Sequence, residues 1–236
     1  MKHFSNLYIF GFSSALVLLA AAILSFTSIM LKDRQHQNIE IERQKNILAA
    51  LGVKSTSADV LTKFPQYIRQ SLVIKADGSI VSGTTAEEID LKKENEKTVE
   101  EREFPLYLAE KDGKHFVVIP VWGKGLWGPI WGNVALESDM NTIHGVNFDH
   151  AGETPGLGAQ ISTTKFMSQF KDKKLFNLSD HFVSIKVEKH GTYKPDSHTV
   201  DAISGGTITS KFLEDMLIQS LEPYQTYFSQ NKSNQP

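Results

Sequence analysis

The chain predicts an α+β fold: an antiparallel sheet or sheets with packed helices, preceded by one N-terminal transmembrane helix. Three observations carry this. The stretch Leu7–Leu31 holds no charged residue. Short apolar runs further on are joined by Asp-Gly turn signals, and an apolar pattern of helical period closes the sequence. Strands joined by hairpins pair antiparallel, whereas a doubly wound parallel sheet needs a helix between each strand pair.

Built as a helix, Leu7–Leu31 is roughly 37 Å long at about 1.5 Å per residue, enough for a bilayer core of about 30 Å. A cleaved signal peptide would have a shorter apolar region of about 7–15 residues, so an uncleaved anchor over residues 1–32 is expected. From Asp33 to Leu51 the sequence turns polar but keeps Ile39, Arg43, Ile47 and Leu51 at four-residue spacing, a stalk that Gly52 ends. This stalk or linker takes in residues 33–56, the main domain residues 57–228, and a polar, disordered tail residues 229–236.

Within the domain, residues 57–70 form a short helix interrupted near Pro65. Leu72–Ile74, Asp77-Gly78 and Ile80-Val81 then give a hairpin. Leu91–Arg102, dense in Lys and Glu, is expected as a solvated face or mobile loop without chemistry. A second hairpin sets Leu106–Leu108 against Phe116–Ile119 around Lys111-Asp112-Gly113. Strands follow at Asn133–Glu137, Thr142–Phe148 and Phe182–Glu188, with a helix at Thr163–Phe170 before the last. The closing helix carries Ile208, Phe212, Leu213, Met216, Leu217 and Leu221 up to Pro223.

Charge and cysteine bound the chemistry. The chain has 25 Lys and Arg against 27 Asp and Glu; without residues 1–32, which hold Lys2 and Lys32, the balance is 25 − 2 = 23 against 27, near −4. Nucleic acid is not an expected partner, since no basic stripe is present. No cysteine occurs, which removes disulfides, thiolate-held iron–sulfur clusters and cysteinyl-linked flavins. A hydrolase lacks its G-x-S-x-G elbow, and the eight scattered histidines form no H-E-x-x-H pair, so neither catalytic nor metal residues are assigned.

Asp201-Ala202-Ile203-Ser204-Gly205-Gly206-Thr207-Ile208-Thr209 places a hydroxyl just past two glycines at a helix start. Free amides and the macrodipole make such an end attract phosphate; read more plainly, Ser204 or Thr207 is an N-cap. Two glycine-rich segments precede it, Trp122–Gly132 and Gly152–Gly158, in which Trp127, Trp131 and Leu157 could wall a ring system.

Together these three segments resemble the FMN-binding subunits of the sodium-pumping NADH:quinone reductases and the related Rnf complexes, with the attachment signature D-x-x-S/T-G-A-S/T-x-S/T. Asp201, Ser204, Gly205, Thr207 and Thr209 match it, and Gly206 stands in place of the usual Ala. The resemblance implies FMN held covalently by a phosphoester at Thr207, beside Ser204, Gly205 and Gly206. It implies Glu153 and Thr154 facing the flavin, Gly156 in the same segment, and Leu157 and Trp127 near the isoalloxazine. It further implies an electron relay in a sodium-translocating NADH:ubiquinone reductase, without complete activity alone, whose partners are the other membrane subunits and a flavin transferase using FAD and Mg²⁺. The chain would cross the bacterial inner membrane once, with its domain on the periplasmic side. An Rnf-type protein of the same kind and a non-redox anchored sensor or scaffold are the alternatives.

Overall fold

The computed structural model describes residues 5–189 and 193–232. It divides into two units, Met1–Arg43 and Gln44–Pro236. Helix α1, Asn6–Ala50, supplies all that is described of the first but Ser5, and the opening residues of the second. Leu7–Leu31 is exposed along its length, and among the described residues this helix is long and apolar enough to cross a membrane. At its other end Ile47, Leu48, Ala50 and Leu51 are buried. Gly52 then takes φ +70°, and its amide closes the last turn on the Ala49 carbonyl at 2.9 Å.

The core of the second unit is a five-stranded antiparallel meander in chain order: β1 Ile68–Ile74, β2 Phe104–Lys111, β3 Lys114–Lys124, β4 Pro129–Glu137 and β5 Ile143–His150. Helix α2, Val60–Tyr67, runs directly into β1. The β2–β3 hairpin turns through Asp112 and Gly113 at φ 54° and 74°, the double left-handed geometry of a two-residue hairpin loop. By contrast, the expected Ile80-Val81 strand is reduced to a bridge between Ile74 and Ile80 and one bond from the Val81 amide to the Val73 carbonyl.

Alternation along β3 assigns its two faces. Val117, Ile119 and Val121 join Ile130, Val134 and Leu136 in the main core, beneath Leu213, Met216 and Leu217 of α5 (Thr207–Leu221) and Tyr224 and Phe228 at the start and within α6 (Gln225–Asn231). On the other face Tyr107, Phe116 and Val118 are buried too. There Phe64 of α2 meets the Tyr107 ring edge-on at 6.2 Å, and Lys111 donates to the Leu51 carbonyl at 2.9 Å. Helices therefore cover both faces of the sheet.

The remaining elements are short. Leu91–Glu94 forms helix α3, capped by the Asp90 carboxylate, within the segment expected as a solvated face or mobile loop, which is largely exposed. Its Glu94 is buried because Lys97 and the Glu103 amide satisfy the carboxylate. Helix α4, Thr164–Met167, begins on the Thr163 hydroxyl, which accepts from the Phe166 amide. Strand β6, Lys186–Glu188, is only the end of the strand expected from Phe182; it pairs parallel with β7, Thr199–Asp201. Helix α6 reaches Asn231, three residues into the segment expected as tail; residues 233–236 lie outside the described residues.

Candidate functional site

The three glycine-bearing segments converge at the N-terminus of α5. The Trp122–Gly132 segment is mostly strand, since β3 runs to Lys124 and β4 begins at Pro129. Only residues 125–128 turn, closed by the Gly125 amide on the Gly128 carbonyl at 2.7 Å. Trp127 stands at this tip, 67 % exposed.

The second segment leaves β5 as a loop that folds on itself. The Thr154 carbonyl accepts from the amides of Leu157 and Ala159 at 3.1 and 3.2 Å, and Gly156 supplies a left-handed residue at φ +77°. The third follows β7, whose outer edge is closed by Gln169. That side chain accepts from the Asp201 amide at 2.9 Å and donates to the Asp201 carbonyl at 3.2 Å, as a neighbouring strand would.

Gly205, at φ +74°, then swings the chain into α5. A Cβ there would lie 2.7 Å from Leu157 Cδ2, and one at Gly206 would lie 2.8 Å from Ile203 Cγ2. Backbone and side chains leave little room at either position. The helix cap is Gly206, with no side-chain capping bond, which corrects the expectation that Ser204 or Thr207 fills that place. Thr207 is the first helical residue and is exposed. Its hydroxyl makes no hydrogen bond among the described residues.

The amides of Thr207, Ile208 and Thr209 are likewise without protein acceptors; the first amide engaged is that of Ser210, on the Gly206 carbonyl at 2.9 Å. Three free donors at the positive end of a 15-residue helix suit an anion. They border a cleft of ≈ 460 Å³ walled by Leu126, Trp127, Leu157 and Ile208, within the range of about 300–1,000 Å³ for small-molecule sites. Apolar walls for a planar ring, amides for a phosphate and an exposed hydroxyl between them fit the chemistry of FMN.

Of the residues expected at the site, Trp127, Glu153, Thr154, Leu157, Gly205, Gly206 and Thr207 line this cleft. Gly156 and Ser204 instead face an adjoining recess with Asp201 and Lys165. Glu153 is buried, at 3 % exposure, with both oxygens on protein donors. Oε2 accepts from the Thr209 hydroxyl at 2.6 Å and Oε1 from the Trp127 amide at 3.1 Å.

Leu126, Gly158 and Ile208 were not singled out as site residues. For Ile208 the signal was available in the helical pattern. Thr209, Leu213, Met216 and Leu217 are buried, so Ile208 lies one position off the core face and is 55 % exposed.

Comparison with known proteins agrees with this geometry. Residues 125–222, which hold the turn of the first segment and all of the second and third, match the FMN-binding domain family. The NqrC protein of the Na(+)-translocating NADH-quinone reductase of Vibrio vulnificus strain YJ016 is 32 % identical over 216 residues, covering 85 % of this chain and 84 % of that one. The crystal structure of its counterpart from the Na(+)-translocating NADH-quinone reductase of Parabacteroides distasonis superposes with a TM-score of 0.78 at 37 % identity, covering 84 % of this chain and 97 % of the other. Shewanella oneidensis NqrC gives 0.70 at 30 % identity over 82 % and 97 %. With 30–37 % identity sustained through most of each chain and the FMN-binding domain match within it, this protein belongs to the NqrC family of the Na(+)-translocating NADH-quinone reductases.

Proposed function

We propose that this chain carries FMN as a phosphoester on the Thr207 hydroxyl and serves as a one-cofactor electron relay in a sodium-translocating NADH:quinone reductase. The observation that carries the reading is the display of Thr207: an unbonded, exposed hydroxyl on the first turn of α5, beside three unengaged amides and an open apolar cleft. Bound there, FMN supplies the electron-carrying chemistry. The protein's part is to hold the phosphate at the helix end, to wall the ring with Trp127, Leu157 and Ile208, and to limit water at it.

Covalent attachment suits a domain outside the cytoplasm, where a dissociated cofactor could not be replaced from a cytosolic pool. In this reading α1 anchors the chain once in the bacterial inner membrane, with the domain on the periplasmic face. The support is its charge-free exposed stretch Leu7–Leu31. NADH oxidation and quinone reduction belong to partner subunits, and attachment to a separate flavin transferase.

Co-expression with such a transferase tests the assignment. The intact protein should gain the mass of FMN less one water, on the peptide containing Thr207, and Thr207→Ala should gain nothing. A modified Thr207→Ala chain would overturn it.

A further inference from the structure

We propose that Glu153 is a positioning residue that sets the rotational phase of the first turn of α5, presenting Thr207 for modification while withholding Thr209. The proposal deepens the FMN reading and rests on it. Two threonines stand two residues apart at the same helix end, and the intrinsic reactivity of their hydroxyls gives no reason to prefer one. At 3.6 residues per turn they point about 200° apart, so fixing one fixes the other.

The fixing bond is the short one from Thr209 to Glu153 Oε2, 2.6 Å between side chains 2 % and 3 % exposed. Carboxylate acceptors make such bonds stronger than neutral ones, and burial shields them from competing water. With Thr209 held inward, Thr207 faces solvent.

The surroundings are shaped around this carboxylate. A Cβ at Gly158 would lie 2.3 Å from Glu153 Oε2 and 2.5 Å from Thr209 Oγ1, and one at Gly125 would lie 2.6 Å from Glu153 Oε1. Any side chain at Gly125 or Gly158 would displace the bonds. Because Oε1 accepts from the Trp127 amide, the same group fastens the hairpin tip to the helix end. Segments around positions 127, 153 and 209 thus meet on one carboxylate, which ties the cleft wall to the attachment residue.

In the modification itself, the Thr207 oxygen bonds to the flavin-side phosphorus of FAD. The pyrophosphate P–O bond on that phosphorus breaks, AMP leaves with the bridging oxygen, and the hydroxyl proton passes to the leaving phosphate or to water. Thr209 cannot compete, since its oxygen is buried and its proton is engaged.

The natural absence of cysteine allows a test that needs no flavin. Full-length chains carrying Thr207→Cys or Thr209→Cys alone are treated with a small maleimide. The residue-207 thiol should react at least about tenfold faster, the equilibrium weight of one charge-assisted bond. In a Glu153→Leu background the two rates should approach each other. In parallel, wild type, Thr209→Val and Thr209→Ser are co-expressed with the transferase. Thr209→Val should acquire FMN on Thr207 about tenfold more slowly or less, and Thr209→Ser should restore it.

Equal thiol rates with Glu153 intact, or a folded Thr209→Val chain modified as fast as wild type, would overturn the proposal. If Glu153→Leu does not fold, Thr209→Val, which keeps the carboxylate, decides. A wild-type chain that never acquires FMN while the thiol ratio holds would sink the FMN reading and with it any selection for flavin, leaving the phase clamp standing as geometry.

Discussion

The buried Tyr224 hydroxyl donates to the Pro105 carbonyl at 2.6 Å, joining the start of the C-terminal helices to β2 across 119 residues of sequence. Its ring packs edge-on with Phe104 at 5.6 Å and stacks with Phe228 at 5.9 Å. Tyr224→Phe keeps these ring contacts and deletes the bond, so it should cost about 1 kcal/mol of stability, read as a lower denaturant midpoint with an unchanged slope.

Burial, with a smaller contribution from nearby Tyr107, raises the ionisation of Tyr224 well above its usual value of 10.0. The folded state therefore keeps a proton that the unfolded state releases. The corresponding stability is fully present below about pH 10 and is lost as pH rises beyond it. Tyr227 is raised in the same direction by burial. Denaturant midpoints measured from about pH 8 to 11.5 should fall above about pH 10, and less steeply in Tyr224→Phe.

Gly145 on β5 sits against the end of α1, where a Cβ would lie 2.6 Å from the Ala50 carbonyl oxygen. Backbone cannot yield as a flexible side chain does, so Gly145→Ala should destabilise the fold by about 1–3 kcal/mol. Thermal unfolding of the variant would check it, and an unchanged midpoint would mean that this contact is looser than it stands.

Truncation should separate the two parts of α1. A chain beginning at Asp33 lacks, among the described residues, only exposed ones, and should remain folded and leave the membrane fraction. One beginning at Gly52 loses Ile47, Leu48, Ala50 and Leu51 from the core and should not fold, since each large buried aliphatic removed costs about 2–5 kcal/mol. Fractionation and circular dichroism of both chains would show it.

Thr207→Ala should leave stability within about 0.5 kcal/mol of wild type, as for other exposed sites without a cap. A measured loss of more than about 1 kcal/mol would place the hydroxyl in a cap after all. Trp127→Ala should be similarly mild for the fold, because the side chain is 67 % exposed and only its amide is bonded, yet it should change the flavin absorption of the modified protein.

Much of this was legible in the sequence. Asp112-Gly113 announced its hairpin because few other residues adopt two consecutive left-handed conformations, and the helix expected from Thr163 does begin there, on a cap that only the structure shows. Leu7–Leu31 gave the apolar helix by composition alone. Strand β6 falls within the run expected from Phe182, but β7 and its parallel pairing were not legible, since three residues such as Thr199–Asp201 show no period. Leu91–Arg102 is largely exposed, as its charges suggested, but the burial of Glu94 was not legible, because it depends on Lys97 and the Glu103 amide satisfying the carboxylate.

At the site, the glycine-led start of α5 was visible from its motif, but the two-sided bonding of Glu153 was not. That arrangement depends on donors 26 residues before it and 56 after it. Nor could the motif tell Gly206 from a hydroxyl as the cap, which is decided by the φ +74° of Gly205.

Thr207 belongs to a regular helix whose neighbours at 206 and 209 are buried, so the hydroxyl is displayed in this manner only once α5 has docked. A modifying enzyme that recognises the displayed helix end, and not the bare peptide, would inspect each molecule before committing a cofactor to it. The label would then double as a certificate of maturity, and misfolded copies would stay colourless.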